Sequence, residues 1–147
     1  MIELWRISRH RDLAGIGGMR ASGRWHYAGQ PIVYLSESPS AALLEVCVHT
    51  AANDVPPEFT LLRIAGPELK TSAIDPKQLP ADWQTQPETT RDLGFQWLRA
   101  KATALLRVPS AIVPRSSNFL LNPLHRDAKK LRIAEALVYP FDGRIKR

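Results

Sequence analysis

The chain has one cysteine, Cys47, in 147 residues, and a lone thiol excludes an internal disulfide framework. Nor can it complete a zinc set with His10, His26, His49 and His125, which are widely spaced along the chain. Long apolar runs are missing too. No segment approaches the roughly 18 uninterrupted apolar residues of a membrane helix, and the N-terminal MIELWRISRH lacks the apolar stretch of a signal peptide. The expectation is a cytoplasmic protein that makes no membrane contact. Neither GxGxxG nor GxxxxGK followed by Ser or Thr occurs, so neither a dinucleotide-binding Rossmann turn nor a P-loop is supported. No GxSxG elbow frames a serine, and no internal repeat or low-complexity tract is present.

What remains is the composition of one globular domain spanning residues 1–147, with 44% hydrophobic and 23% charged residues. The net charge of +6 and pI near 9.9 raise a nucleic-acid reading. Its distribution weakens that reading: residues 126–147 hold seven Lys or Arg against three acids, and no basic helix with interleaved aromatics appears. A basic surface serves anionic ligands and acidic partner proteins equally well.

The pattern along the chain predicts strands at IELWRI (2–7), PIVYLS (31–36), EFTLLRIAG (58–66), LLRVP (105–109), SAIVP (110–114), NFLLN (118–122) and RIAEALVYPF (132–141). Ser38-Pro39 is a helix start, because serine caps free N–H groups and proline loses nothing at the first helical position. That helix runs to about Thr50, and a second covers 88–103. Residues 74–88, with three prolines, form a long surface loop. Strands outnumber helices without regular β-α alternation, an α+β pattern.

Glu45 is the one acid in the otherwise apolar helix 39–50. Ala41, Val48 and His49 share its face. Glu45 belongs either to a solvent face or to a cleft wall, where it would face developing positive charge. Arg6, at the end of the first strand, and Arg24, in SGRWHYAGQ, are each either surface arginines or anion clamps, since guanidinium grips phosphate bidentately. Tyr34 is a core tyrosine or a ring that stacks on a planar ligand. In VPSAIVPRSSNFLLNPLH, Ser110, Ser116, Ser117, Asn118, Asn122 and His125 are polar contacts or turn formers. Cys47 reads as a small core residue.

LWRIS, then GRW, VYL and AALLE, then VPSAIVP and NFLLNP with His125 stand in an order and spacing that resembles the RES-domain family of bacterial toxin–antitoxin toxins. The resemblance spans nearly the whole chain, but 74–88 matches no motif. It implies an ADP-ribosyltransferase-like fold of split sheets around a cleft for NAD. It further implies cleavage of the nicotinamide–ribose bond with water or phosphate as acceptor, or transfer of ADP-ribose to a protein. NAD would be substrate, with no cofactor and no metal. By the same resemblance Glu45 faces the ribose, Arg6 and Arg24 hold the phosphates, Tyr34 packs on the nicotinamide end, and Ser110 supplies the family serine, with Ser116 and Ser117 close enough to compete. Asn122 is a turn residue at the cleft. A helix-turn-helix antitoxin is the implied partner, with DNA contacted through it. The competing classes are a basic nucleic-acid-binding module and a catalytically inert nucleotide sensor.

Overall fold

In a computed structural model, which describes residues 1–146, strands form where apolar residues alternate or run together: β1 (Ile2–Ile7), β2 (Val33–Ser36), β3 (Glu58–Gly66), β4 (Thr71–Ala73), β5 (Leu105–Pro109), β6 (Ser117–Leu121) and β7 (Arg132–Pro140). Three α-helices interleave with them, α1 (Ile16–Arg20), α2 (Pro39–His49) and α3 (Pro87–Ala100). The strands make one mixed sheet of order β4-β5-β6-β2-β1-β3-β7, all pairs antiparallel except β4 with β5. None of the described helices is long and apolar enough to cross a membrane.

The sheet is continuous but nearly severed in the middle. β1 pairs with β3 through six residues and β2 with β6 through four, whereas β1 and β2 meet only at Trp5 and Ser36. The split expected from the resemblance is therefore a parting within one hydrogen-bonded sheet. α2 lies over the parting, in contact with both β1 and β2. It begins as the sequence predicts: Ser38 Oγ accepts the Ala41 N–H at 3.1 Å, with Pro39 in the first turn.

Alternation along β5 and β6 divides the core between two faces. Leu105 and Leu121 join Leu4, Val33, Leu35, Leu62 and Ile64 on one side. Leu106, Val108 and Leu120 meet Trp25, Trp83, Trp97 and Leu98 on the other, beneath α3.

One expectation changes. SAIVP is not a strand: Ser110 Oγ accepts the N–H groups of Ile112 and Val113, both at 3.1 Å, and Arg115 turns the chain at φ 66°. A hydroxyl that bonds the local backbone draws it out of the ladder. The stretch 74–88 is the mostly exposed loop expected, anchored by buried Leu79 and Trp83. It holds 3-10 turns at Pro76–Gln78 and Trp83–Thr85, and α3 already begins at Pro87. Missed altogether were α1 and the three-residue β4, both too short to carry a period.

α3 holds the 23–27 loop by its main chain. Arg91 Nε donates to the Gly23 carbonyl at 2.8 Å, Thr90 Oγ1 to the Arg24 carbonyl, and Tyr27 Oη reaches back to the Asp92 carboxylate. Gly94 lets the helix touch that loop directly, since a Cβ there would stand 1.6 Å from the Trp25 carbonyl oxygen. Behind the loop, buried His26 accepts the Gly23 N–H on Nδ1 at 3.2 Å. Nδ1 is thus the unprotonated nitrogen, so the Tyr34 hydroxyl donates to it at 2.7 Å while Nε2–H donates to the Gly18 carbonyl at 3.1 Å.

Gly94→Ala has no space to relax into, because the obstacle is backbone. Its cost in urea unfolding is expected at about 3 kcal/mol or more, the upper range for overpacking. Burial, with Arg91 adding to it, holds His26 below its ordinary 6.5, against the opposing pull of the Gly18 and Ala21 backbone. The unfolded chain therefore takes up a proton here before the folded one does. Stability is full above pH 6.5 and declines as pH falls below it toward the lower folded-state value. Urea midpoints measured between pH 7.5 and 5 should show this slope, and His26→Gln should flatten it.

Candidate functional site

The parting between β1 and β2 opens a cleft of about 480 Å³, within the usual range for small-ligand sites. It is walled by β1, β2, the 22–25 loop, α2, the start of the β5–β6 connection and Asn118 of β6. Four of the residues singled out from sequence come together here: Arg6, Arg24, Tyr34 and Glu45.

Glu45 projects from α2 with its side chain 31% exposed, so it is a wall carboxylate and neither a core acid nor a free surface one. Asn118 Nδ2 donates to its Oε1 at 2.9 Å. His49, one turn on, brings Nε2 to 3.6 Å from Oε2 but is mostly exposed.

Arg6 lies where the strands diverge, and its Nη1 donates to the Tyr34 carbonyl across the gap at 3.2 Å. Its Nε is buried and has no partner among the described residues. Burial pulls this guanidinium below its ordinary pKa, opposed by Asp12. It stays charged throughout any working pH range.

Arg24 is positioned from the side of 74–88. Nη1 donates to the Gln84 carbonyl at 2.9 Å, and the guanidinium stands 5.8 Å from the centre of the Trp83 ring, within cation–π reach. Trp83 in turn packs on Trp25. The loop without a recognisable motif is thus the brace of a cleft arginine.

The Tyr34 ring lines the cleft while its hydroxyl is fully occupied, donating to His26 and accepting the Trp25 N–H at 3.1 Å. Burial raises its pKa to about 12, against the lowering effect of the Trp25 N–H, Arg91 and Arg24. A neutral, immobile ring suits packing against a flat group and not proton transfer.

Ser110 and Asn122 are not brought to this wall. The Ser110 hydroxyl is engaged in its own turn, although its neighbours Pro109, Ala111 and Ile112 line the cleft. Of the competing serines, Ser117 Oγ accepts from Arg107 Nε at 3.0 Å, and the Ser116 carbonyl accepts the Ser110 N–H at 2.9 Å. Asn122 is 1% exposed and spends its amide on backbone: Nδ2 donates to Leu98 O at 3.2 Å and Oδ1 accepts the Leu124 N–H at 3.1 Å. It shapes the turn after β6 and does not line the cleft. His125 belongs to a separate hollow with Lys70, Lys101 and Arg126, at the other end of β5 and β6.

Sequence reasoning named Asn118 only as one polar residue among several and passed over Ser36 as a cleft residue. Ser36, two residues beyond Tyr34 and on the same strand face, was the available signal. Among the described residues no group of three His, Cys, Asp or Glu is arranged to hold a metal.

The model of the RES domain matches residues 3–142 of this chain. A protein named Toxin Res from Pseudomonas putida is 48% identical over 132 residues, covering 88% of this chain and 90% of that one. Toxin Res from Yersinia enterocolitica is 35% identical over 150 residues, covering 97% and 99%. A Prs ADP-ribosylating toxin from Sphingobium is 34% identical over 156 residues, covering 99% and 97%. Among solved structures, a chain of the M. tuberculosis MbcT–MbcA toxin–antitoxin complex superposes with a TM-score of 0.77 at 19% identity, over 97% of this chain and 85% of that one, a likeness of fold. The match along nearly the full sequence, together with these relatives, establishes that the chain belongs to the RES domain family.

Proposed function

We propose that this protein is the toxin of a bacterial toxin–antitoxin pair and that it destroys NAD by breaking the nicotinamide–ribose bond. The observation that carries the reading is the convergence of Arg6, Arg24, Tyr34 and Glu45 on one cleft from four different elements. Two guanidiniums suit the pyrophosphate. The fixed Tyr34 ring suits the flat nicotinamide.

In NAD the nicotinamide nitrogen is cationic. When its bond to the ribose breaks, the electron pair returns to the ring, which leaves neutral, and positive charge passes to the sugar as an oxocarbenium ion. A carboxylate held beside the ribose favours the state in which that charge has developed, which is the requirement for acceleration. Water, or inorganic phosphate, then attacks the anomeric carbon and loses a proton. Ser110 remains the family serine of this reading, acting through the cleft-lining 109–112 turn that its hydroxyl shapes.

An enzyme that consumes NAD acts where NAD is held, in the cytoplasm, and harms its own cell unless neutralised. That need, with a toxin–antitoxin complex as structural neighbour and relatives named Toxin Res, supports a cognate antitoxin; the family resemblance implies that it is of helix-turn-helix type and carries the DNA contact. The basic C-terminal segment is a poor nucleic-acid module by itself. Lys130 pairs with Asp127 at 3.1 Å, Arg144 with Asp142 at 2.6 Å, and Lys146 donates to the Cys47 carbonyl. Arg147 lies outside the described residues. The second reading, transfer of ADP-ribose to a protein, is favoured by the Sphingobium relative's name.

The test is incubation of antitoxin-free protein with NAD, with and without phosphate, following nicotinamide and ADP-ribose. Glu45→Gln keeps the shape and removes the charge, so nicotinamide release should fall by about 10²- to 10³-fold. Wild-type rates from folded Glu45→Gln protein would refute the role. Arg6→Ala should raise KM about tenfold or more with a smaller effect on kcat, because phosphate contacts are made alike in ground and transition states. A mass increase on a protein, without free ADP-ribose, would move the assignment to protein modification.

A further inference from the structure

The contact that Glu45 makes with Asn118 has no part in the reaction as described above, yet it joins residues 73 positions apart across the cleft. The two partners differ in freedom. Asn118 sits in β6, paired with Val108 on one side and Ser36 on the other, so its backbone is held from both flanks. Ser36 is also the residue through which β2 meets β1 at Trp5. Asn118 therefore stands on the one row of pairs that runs across the parting of the sheet. Glu45, on a long side chain from α2, has several rotamers and is partly exposed.

The chemistry of the contact is one-sided. An amide does not titrate, so the donor is present at every pH. Asn118 engages Oε1, while the His49 ring stands 3.6 Å from Oε2 and is itself mostly in solvent. Arg6 from β1 and Arg24 from the 22–25 loop are the other charged groups on the same cleft.

We propose that Asn118 is the positioning residue of this site: it locks the Glu45 carboxylate through Oε1 and leaves Oε2 directed to the ribose. This rests on the reading of Glu45 as the carboxylate that faces the sugar. Asn118 forms no bond to the reacting atoms, and its effect passes through Glu45 alone.

Two substitutions separate positioning from general support. Asn118→Leu removes the donor at similar volume; kcat should fall by about 10- to 100-fold, the scale of a misplaced group, while KM stays within about threefold. Asn118→Ala, which also removes the donor, takes its place should the leucine variant not fold. Asn118→Asp sets a second carboxylate against Glu45. Near pH 8 it should be as impaired as Asn118→Leu. As pH is lowered toward 5 the two carboxyls come to share one proton, an O–H donor reappears, and the rate relative to wild type at the same pH should climb. Melting curves for each variant exclude misfolding. A pH-independent ratio, or an unchanged kcat, would overturn the proposal. If the wild-type protein releases no nicotinamide, the NAD reading fails by itself, and the Asn118 coupling is then decided by carbon NMR of the Glu45 carboxyl. A titration midpoint higher in Asn118→Asp than in wild type supports the coupling; the same midpoint in both refutes it.

Discussion

Strands that lie side by side satisfy each other's main chain, and where they part something else must do so. β1 and β2 keep one pair, Trp5 with Ser36, and then diverge. Arg6 answers the loss by donating to the Tyr34 carbonyl from the opposite strand. The cleft, the burial of Arg6, the unpartnered Nε and the placing of α2 above the gap all follow from this incomplete pairing. A fully zipped β1–β2 ladder would leave no cavity, and Glu45 would face a closed sheet. The cleft is thus a consequence of missing hydrogen bonds, with an arginine that serves as substitute partner and also lines the cavity.

The second wall depends on α3, which lends no residue to the cleft yet holds the loop that does. Its Thr90 and Arg91 bind carbonyls of the 23–24 main chain, and Gly94 lets the helix lie against Trp25. Trp83 and Gln84 then fix the Arg24 side chain from beyond. Main-chain and side-chain restraint come from adjoining parts of the sequence, 83–94, far along the chain from the arginine they control. Preorganisation of this kind lowers the ordering cost when an anion binds.

Much of this was readable in the residues. The strands at 2–7, 58–66 and 105–109 and the Ser38-Pro39 helix start carry their own local signals, and the order of LWRIS, GRW, VYL and AALLE points to Arg6, Arg24, Tyr34 and Glu45. What could not be read was contact across the sheet. Asn118 meets Glu45 because β6 lies next to β2, a neighbourhood set by strand order and by nothing near either residue in the sequence. SAIVP misled because its apolar content suits a strand, while the Ser110 hydroxyl and the left-handed Arg115 decide for a turn. The role of 74–88 was hidden by its prolines, although a tryptophan in a polar loop argues for an anchor.

Strand order also sets when the cleft can exist during synthesis. Arg6, Arg24, Tyr34 and Glu45 all lie within the first 50 residues, but β2 gains its main pairing from β6 and β1 from β3, while the brace on Arg24 comes from 83–94. At about 5–20 residues per second, several seconds separate the appearance of Glu45 from that of β6. Pairings so distant in sequence are slow to form, since loop closure precedes their reward. A nascent chain carrying all four of these groups therefore has no cleft until its second half has emerged and folded back. This architecture places a delay between translation and any activity that depends on the cleft.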